Sequence, residues 1–519
     1  MESKRTPRVA LIEAGSPGLN IYSHVAMGRG VALLATVVHE AGYDVRAFIE
    51  DVCGKGDLDW EWIADADVVG FSAITCTMPR TAELLAEVRR RAPQAAVVFG
   101  GPEPTCNPAR SFDAGADIVL RGEAELTLPR LLGTLLGRSD EPLSSIEGLM
   151  WRQADVGIAE GPPPRQLASV ELDALPVVDR SLVHMADRNS VASVWRTRGC
   201  PSRCDFCEVC EIWPRYVSRS DDKSIEELMD AQDAGYQTAF LIDDNAAANK
   251  RAFKEFLQRI VDRGYEGMLV TQMRADAAFH SDGRLDRELL RLLKQAAGIT
   301  VVCVGVESAD DANLASLNKR EDSQHMARAL KAMKHYGLLV HGMFIALNTD
   351  TREIIRRDGE FARRYVTSLQ YLFETPLPGT KRTAEHEAAD AIMFTSGRDL
   401  ELYDGMHLVL RPQWMRAEEM QQLVVDEYRR FYSAGRVALA ALHGTFARHH
   451  VLTSAQRALL RRRRGMARLK QWAWYHVRYK YAPTAFLAMG RSRVRKMTLE
   501  PAYAEFVERL REDDRGSGL

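Results

Sequence analysis

The sequence predicts an α/β protein: an N-terminal doubly wound parallel sheet, then a partial (β/α)6 barrel, then a mainly helical C-terminal region. From Arg8 to about Leu135, short β-branched runs alternate with helical stretches, the rhythm of parallel strands joined by crossover helices. From Val191 to Pro378 that rhythm returns over about six βα units, whose functional end would be the strands' carboxyl ends. After Pro378 the strand signal fades, and MRAEEMQQLVVDEYRRFYSAGRVALAALHG has apolar residues at helical spacing.

A chain of 519 residues exceeds what one hydrophobic core usually serves, so several domains are expected: 1–140, 191–385 and 386–519, with a linker over 141–190. In the first, VALIEA, DVRAFIE, DVVGFSAI, AAVVFGG and DIVLRGE read as strands, and GVALLATVVHEAG, TAELLAEVRRRAP and LTLPRLLGTLLG as helices. Ligands of such sheets sit beyond the carboxyl ends of the strands, so the loops after Ala14, Ile74, Phe99 and Leu120 matter most. GPPPRQ and DALPVVDR give the linker its Pro-rich, weakly periodic character. The barrel strands are SVWRTRG, TAFLIDD, MLVTQMR, TVVCVGVES, LVHGMFIAL and SLQYLFET, separated by amphipathic helices such as KSIEELMDAQDAG and RELLRLLKQAAG.

Charged residues make up 27% and apolar residues 46%, and the formal net charge is -2. This balance gives no footprint for nucleic acid. The N-terminus has no uninterrupted apolar core of a leader, and no apolar run reaches the roughly 18 residues of a membrane span, so a cytoplasmic location is expected. Three of the eight cysteines crowd between positions 200 and 207, which in a reducing compartment points to metal ligation rather than disulfides.

Cys200-Pro-Ser-Arg-Cys204-Asp-Phe-Cys207 sets three thiols in one loop directly after a predicted strand. Three thiolates can hold three irons of a cubane and leave the fourth open, whereas a structural cluster uses four. A zinc site would want a second, distant pair of ligands. Cys210 is taken as a non-ligand. CxxxCxxC with an aromatic residue before the last cysteine resembles the radical S-adenosylmethionine superfamily, which implies a 4Fe-4S cluster on Cys200, Cys204 and Cys207 and S-adenosylmethionine at its open iron. The resemblance extends to strand ends. Asp243-Asp244-Asn245 falls where the family offers polar groups to the methionyl amine, and Glu307 with Ser308 where it places a polar residue on the ribose hydroxyls, for which a carboxylate can accept two hydrogen bonds. Arg274 would pair with the cofactor carboxylate or with substrate.

Ser72-Ala73-Ile74 and, farther on, Gly100-Gly101 resemble the SxL and GG pair of cobalamin-binding domains. Small residues suit a nucleotide tail threading beside a sheet, with Ser72 able to hydrogen-bond it. GGPEPTCNP and RGEAE are similar to the domain as it occurs ahead of radical S-adenosylmethionine barrels. The axial-histidine pattern of cobalamin domains is incomplete: Tyr22-Ser23-His24-Val25-Ala26-Met27-Gly28 has no aspartate before His24. His24 is therefore read as a packing or corrin-edge residue rather than a cobalt ligand. Cys53, Cys76 and Cys106 raise the alternative of a methylthiotransferase with a second cluster, against which stand GGPEPT, the SxI spacing and the helical C-terminus.

Together the two signatures resemble the cobalamin-binding radical S-adenosylmethionine family over about residues 8 to 380, closing with Thr375-Pro376-Leu377-Pro378-Gly379-Thr380. The resemblance implies an enzyme that forms a 5′-deoxyadenosyl radical and methylates an unactivated carbon from methylcobalamin. The alternative is a non-methylating cyclisation or rearrangement with the same cofactors; a cobalamin sensor with an idle barrel is disfavoured by the intact cysteine triad. A small-molecule or lipid substrate and an external electron donor such as flavodoxin or ferredoxin are implied. The basic, aromatic stretch from Arg461 to Pro483 reads first as a surface helix, with peripheral membrane contact as the alternative. His407 is left unassigned.

Overall fold

Apolar runs with no polar parity need cover on both faces, and β1 (Arg8–Glu13) receives it. Val9 and Leu11 pack with Val31, Val38 and Leu131 on one side, Ala10 and Ile12 with Leu84, Val88 and Phe112 on the other. The computed structural model describes residues 5–17, 29–154, 157–446 and 465–516. Strands β2 (Asp44–Ile49), β3 (Val68–Ser72), β4 (Ala96–Gly100) and β5 (Ile118–Leu120) join β1 in parallel, in the order β2-β1-β3-β4-β5. The order reverses between β1 and β3, which places the crevice of a doubly wound sheet above their carboxyl ends.

The stretch expected to be a linker differs in part. Strands β6 (Leu149–Gln153) and β7 (Gly157–Glu160) extend the same sheet as an antiparallel pair beyond β5. Both are short, and the prolines that follow dominated the local pattern, so they were not legible as strands. Beyond them the chain returns along the sheet it left: the backbone N–H of Asp179 donates to Thr36 Oγ1 and that of His184 to the Ala47 carbonyl.

The second sheet contains β8 (Val191–Val194), β11 (Thr238–Leu241), β12 (Met268–Gln272), β13 (Ile299–Glu307), β14 (Leu339–Ala346) and β15 (Ser368–Phe373), all parallel and in chain order. It is the partial (β/α)6 barrel. A small antiparallel pair, β9 (Thr197–Arg198) with β10 (Val217–Ser218), brackets the cysteine loop. Alternation sorts each strand: Val302, Val304 and Val306 join the helix-side core with Leu293 and Leu330, while Ile299 and Val301 lie on the opposite face against Ala482 and Phe486. The helix Gly465–Leu499 therefore supplies part of the floor of the open barrel.

The helix Ala417–Phe431 and the residue after it cover the last strand. The N–H of Tyr371 donates to Tyr428 Oη at 2.6 Å, and the N–H of Leu369 donates to Tyr432 Oη at 2.9 Å. An edge strand's buried N–H left without a partner costs about 1–3 kcal/mol, so these buried phenols finish the sheet where, among the described residues, no further strand pairs.

Candidate functional site

A cavity of about 440 Å³ opens over the carboxyl ends of β3, β4 and β5 and continues to the mouth of the barrel, within the size range of ligand sites. Ser72, Gly100 and Gly101 line it from one side, Thr197, Arg198 and Asp244 from the other. Where β3 and β4 end, its wall is made of small residues under tight constraint. Gly101 has φ +101°, and a Cβ there would lie 2.8 Å from the Ala73 carbonyl oxygen and 3.1 Å from Ser72 Oγ. Only glycine lets the backbone pass so close.

The cysteine loop is fixed at both ends. Asp243 Oδ1 accepts from the N–H of Arg196 at 2.7 Å and of Thr197 at 3.0 Å, and Asp244 Oδ2 accepts from the N–H of Gly199 at 3.2 Å. Farther along, Asn318 Nδ2 donates to the Arg203 carbonyl at 2.7 Å, and Lys381 Nζ pairs with Asp205 at 2.6 Å. The TPLPGT turn thus delivers a lysine to the loop, Thr380 capping the helix Lys381–Ala388 that carries it. Asn245 Nδ2 reaches Cys200 Sγ at 3.9 Å, while its buried Oδ1 has no partner among the described residues. Burial pushes the Cys207 thiol up to about 12 and raises Cys204, toward which Lys319 and Arg274 pull in the opposite direction. A thiol so placed becomes a good ligand only when a cation takes its proton's place. Cys210 Sγ contacts the Ser202 carbonyl at 3.4 Å. Among the described residues no three Cys, His, Asp or Glu side chains converge into a preformed metal cage. The donor set, three thiols on one tethered loop beside an unpartnered amide oxygen, fits an iron-sulfur cluster with one open iron.

The remaining candidates separate by the face they occupy. Asp244 faces the cavity, and burial, with Asp243 adding to it, pushes its carboxyl up to about 6. Asp243 is turned onto the loop backbone, where its Oδ1 holds two N–H groups. Glu307 stands in the left-handed region at φ +60°, strain of the kind stored at functional sites. Its Oε1 pairs with Lys319 Nζ at 2.9 Å. Arg274 pairs with Glu321 at 3.3 Å and Asp276 at 3.2 Å and donates to the Lys319 carbonyl at 2.9 Å. The Ser308 hydroxyl is fully buried and donates to Asp358 on the helix Arg352–Tyr365, one residue past the inward-facing register.

Several residues at this site were not singled out in the sequence. Lys319, in the unremarkable run NKRED, is buried against Glu307. Glu13 ends β1 and lines the cavity, its carboxyl pushed up to about 7 by burial and then by Asp51; a charged residue closing an apolar strand was its signal. Arg198 pairs with both Glu123 and Glu125 of the RGEAE segment. His407 is buried, its Nδ1 3.0 Å from Asp404 Oδ1 and its ring edge-on to Phe506. Cys53, Cys76 and Cys106 sit in separate surroundings, beside Glu50, Asp404 and Glu208. His24 and Arg461 to Arg464 lie outside the described residues, as do the side chains of 467–480.

The model of the B12 binding domain matches residues 24–132, and that of the Radical SAM superfamily matches residues 196–362. The chain is 28% identical to an uncharacterized methyltransferase of Pyrococcus horikoshii, over 83% of this chain and 93% of that one. It is 24% identical to the anaerobic magnesium-protoporphyrin IX monomethyl ester cyclase of Cereibacter sphaeroides, over 83% and 71%. With the hopanoid C-3 methylase of Methylococcus capsulatus it shares 26% identity, over 81% and 80%. Its fold is similar to that of the radical S-adenosylmethionine methyltransferase TsrM of Kitasatospora setae, solved with cobalamin and a [4Fe-4S] cluster, with a TM-score of 0.65 at 16% identity over 94% of this chain and 100% of that one. With a B12-binding domain set ahead of a radical SAM domain and one cavity running between them, the chain belongs to the cobalamin-binding radical S-adenosylmethionine enzymes.

Proposed function

We propose that this protein is a cobalamin-dependent radical S-adenosylmethionine C-methyltransferase acting on an unactivated carbon of a small-molecule or lipid substrate. The observation that carries the reading is the single cavity shared by the glycine-walled strand ends and the mouth of the barrel beside the cysteine loop. In this reading Cys200, Cys204 and Cys207 hold the cluster. Ser72, Gly100 and Gly101 border the cobalamin tail, Asp244 and Asn245 receive the methionyl amine, and Glu307 accepts from the ribose hydroxyls. Arg274, already held by Glu321 and Asp276, steadies the same corner. Bound there, the cofactors supply a 5′-deoxyadenosyl radical and a transferable methyl group, while the protein aligns and shields them.

Asp243 and Asp244 fix the approach to Cys200, and Asn318 and Lys381 fix the far side of the loop, so the three thiols that would hold the cluster stand on a tethered backbone. An external flavodoxin or ferredoxin would supply electrons, from the cytoplasm. Among the described residues no helix is long and apolar enough to cross a membrane, so contact with a lipid substrate would be peripheral. The methylase and methyltransferase relatives support methyl transfer, and the cyclase relatives favour, as a second reading, ring closure with the same cofactors.

The test is anaerobic reconstitution with iron, sulfide and cobalamin, then mass spectrometry of the S-adenosylmethionine products formed with a reductant. Wild type is compared with the triple alanine variant of Cys200, Cys204 and Cys207. Cysteine-dependent 5′-deoxyadenosine together with S-adenosylhomocysteine is expected. 5′-Deoxyadenosine alone favours the second reading, and neither product from cluster-loaded protein overturns both.

A further inference from the structure

We propose that Arg198 is a positioning residue that sets the N-terminal sheet at a fixed distance from the cysteine loop, acting through Glu123 and Glu125. The proposal rests on the functional reading above, because the distance that matters is the one between the two cofactor sites.

Arg198 ends β9, two residues before Cys200, and its guanidinium reaches out of the barrel to two carboxylates in the loop after β5. Little of any of the three is exposed: their side chains keep 11%, 4% and 9% exposure. An exposed ion pair would fix nothing, but a buried one is poorly screened, and its planar donor fork sets angle as well as distance. The guanidinium also lies 4.5 Å from the centre of the Trp195 ring, which closes one side of it.

Both ends of this link are themselves anchored. On the barrel side, Asp243 and Asp244 hold the N–H groups of Arg196, Thr197 and Gly199, so Arg198 stands in a segment with little freedom. Across the cavity, Glu123 also accepts from the N–H of Leu167, and Gln166 exchanges hydrogen bonds with Arg215 just past the cysteine loop. Glu123, Glu125 and Arg198 all line the shared cavity. Apolar contact between two sheets is non-directional; this ion triad gives it a register. Without the guanidinium, two like charges would face each other in a buried wall, and the loop carrying them would move apart or take up water.

The experiment uses the full chain, anaerobically reconstituted with iron, sulfide and cobalamin, as wild type, Arg198→Met, Arg198→Lys and Glu125→Gln. Pulsed electron paramagnetic resonance reads the separation between cob(II)alamin and the reduced cluster from their magnetic interaction. Wild type is expected to show one narrow separation. Arg198→Met is expected to lose it while keeping its iron and cobalamin content, and Arg198→Lys, a charge without the fork, to recover it in part. A wild-type separation in folded Arg198→Met overturns the proposal, because a residue that only stabilises the chain changes how much protein folds and not where the cofactors sit. Where Arg198→Met does not accumulate, Glu125→Gln decides: a widened separation supports the proposal and an unchanged one overturns it. A wild type that loads the cluster but no cobalamin overturns the functional reading, and this proposal with it.

Discussion

The two halves of the site, the ends of β3 and β4 and the mouth of the barrel, are built on opposite principles. On the N-terminal sheet the strand ends make room: Ser72, Gly100 and Gly101 contribute backbone and small side chains, and the tightest approach, between Gly101 and Ala73, exists because a Cβ is missing. At the barrel mouth the strand ends supply charge. Asp243 holds backbone N–H groups, and Glu307, Lys319, Glu321 and Arg274 form a connected chain of ion pairs. One half should therefore fail when atoms are added, the other when they are removed.

The largest effect expected is on the barrel side. Replacing Cys200, Cys204 or Cys207 singly with alanine should abolish the cluster and cysteine-dependent 5′-deoxyadenosine formation, while cobalamin still co-elutes with the protein on gel filtration. Iron and cobalt content measured on the same fractions would show it, and loss of both metals together would break the contrast between the halves. Gly101→Val is the reciprocal variant. A β-branched residue at φ +101° pays about 1–3 kcal/mol of backbone strain before any clash with Ala73. Cobalamin retention should fall while iron content stays at the wild-type level.

The same contrast explains what could be read from the sequence. Glycine at a strand end and cysteines at fixed spacing are chemical statements that no neighbour can rewrite, so Gly100-Gly101 and the CxxxCxxC loop stood out, as did strands whose apolar runs need cover on both faces. Charged side chains have meaning only with their partners. Lys319 comes twelve residues after Glu307 with no pattern between them, and Arg198 meets Glu123 from 75 positions away. Adjacent residues also diverge: Asp243 and Asp244, like Glu307 and Ser308, point to opposite faces, and only the alternation of the strand says which of each pair turns away from the helix layer. That alternation was present in TAFLIDD and TVVCVGVES, where Leu241 and Val306 mark the helix-side parity. The hairpin β6–β7 was lost because strands this short yield to the prolines after them.

Parity makes a third, smaller prediction. Asp243→Ala removes the acceptor of two buried N–H groups and should cost about 2–3 kcal/mol of stability. Asp244→Ala removes a single, longer hydrogen bond and should cost nearer 1 kcal/mol. Affinity for S-adenosylmethionine should show the reverse order, with Asp244→Ala the weaker binder. Urea denaturation and equilibrium binding to the reconstituted protein give the two rankings; identical rankings would mean that the faces do not divide the work.

The effect farthest from the cysteine loop lies behind the barrel, where Ser308 and Tyr371 donate to Asp358 at 3.1 and 3.2 Å and the N–H of Ala309 donates at 2.6 Å. Burial raises the Asp358 carboxyl to about 8, outweighing these hydrogen bonds. The folded chain therefore keeps this proton where the unfolded chain, with an ordinary carboxyl near ~4, has lost it. Stability from this group is complete below about pH 4, declines as pH rises toward about 8, and is flat beyond. Asparagine is neutral throughout and can accept from Ala309 while donating to a hydroxyl oxygen. Asp358→Asn should thus match wild type most closely near pH 4 and exceed it in stability most at pH 8, with a shallower slope between, the remainder coming from Asp350, which burial raises to about 7. Urea midpoints across that range measure both slopes. Parallel slopes would place a charged carboxylate in the helix layer, and the division of the barrel into a charged mouth and a neutral back would then fail.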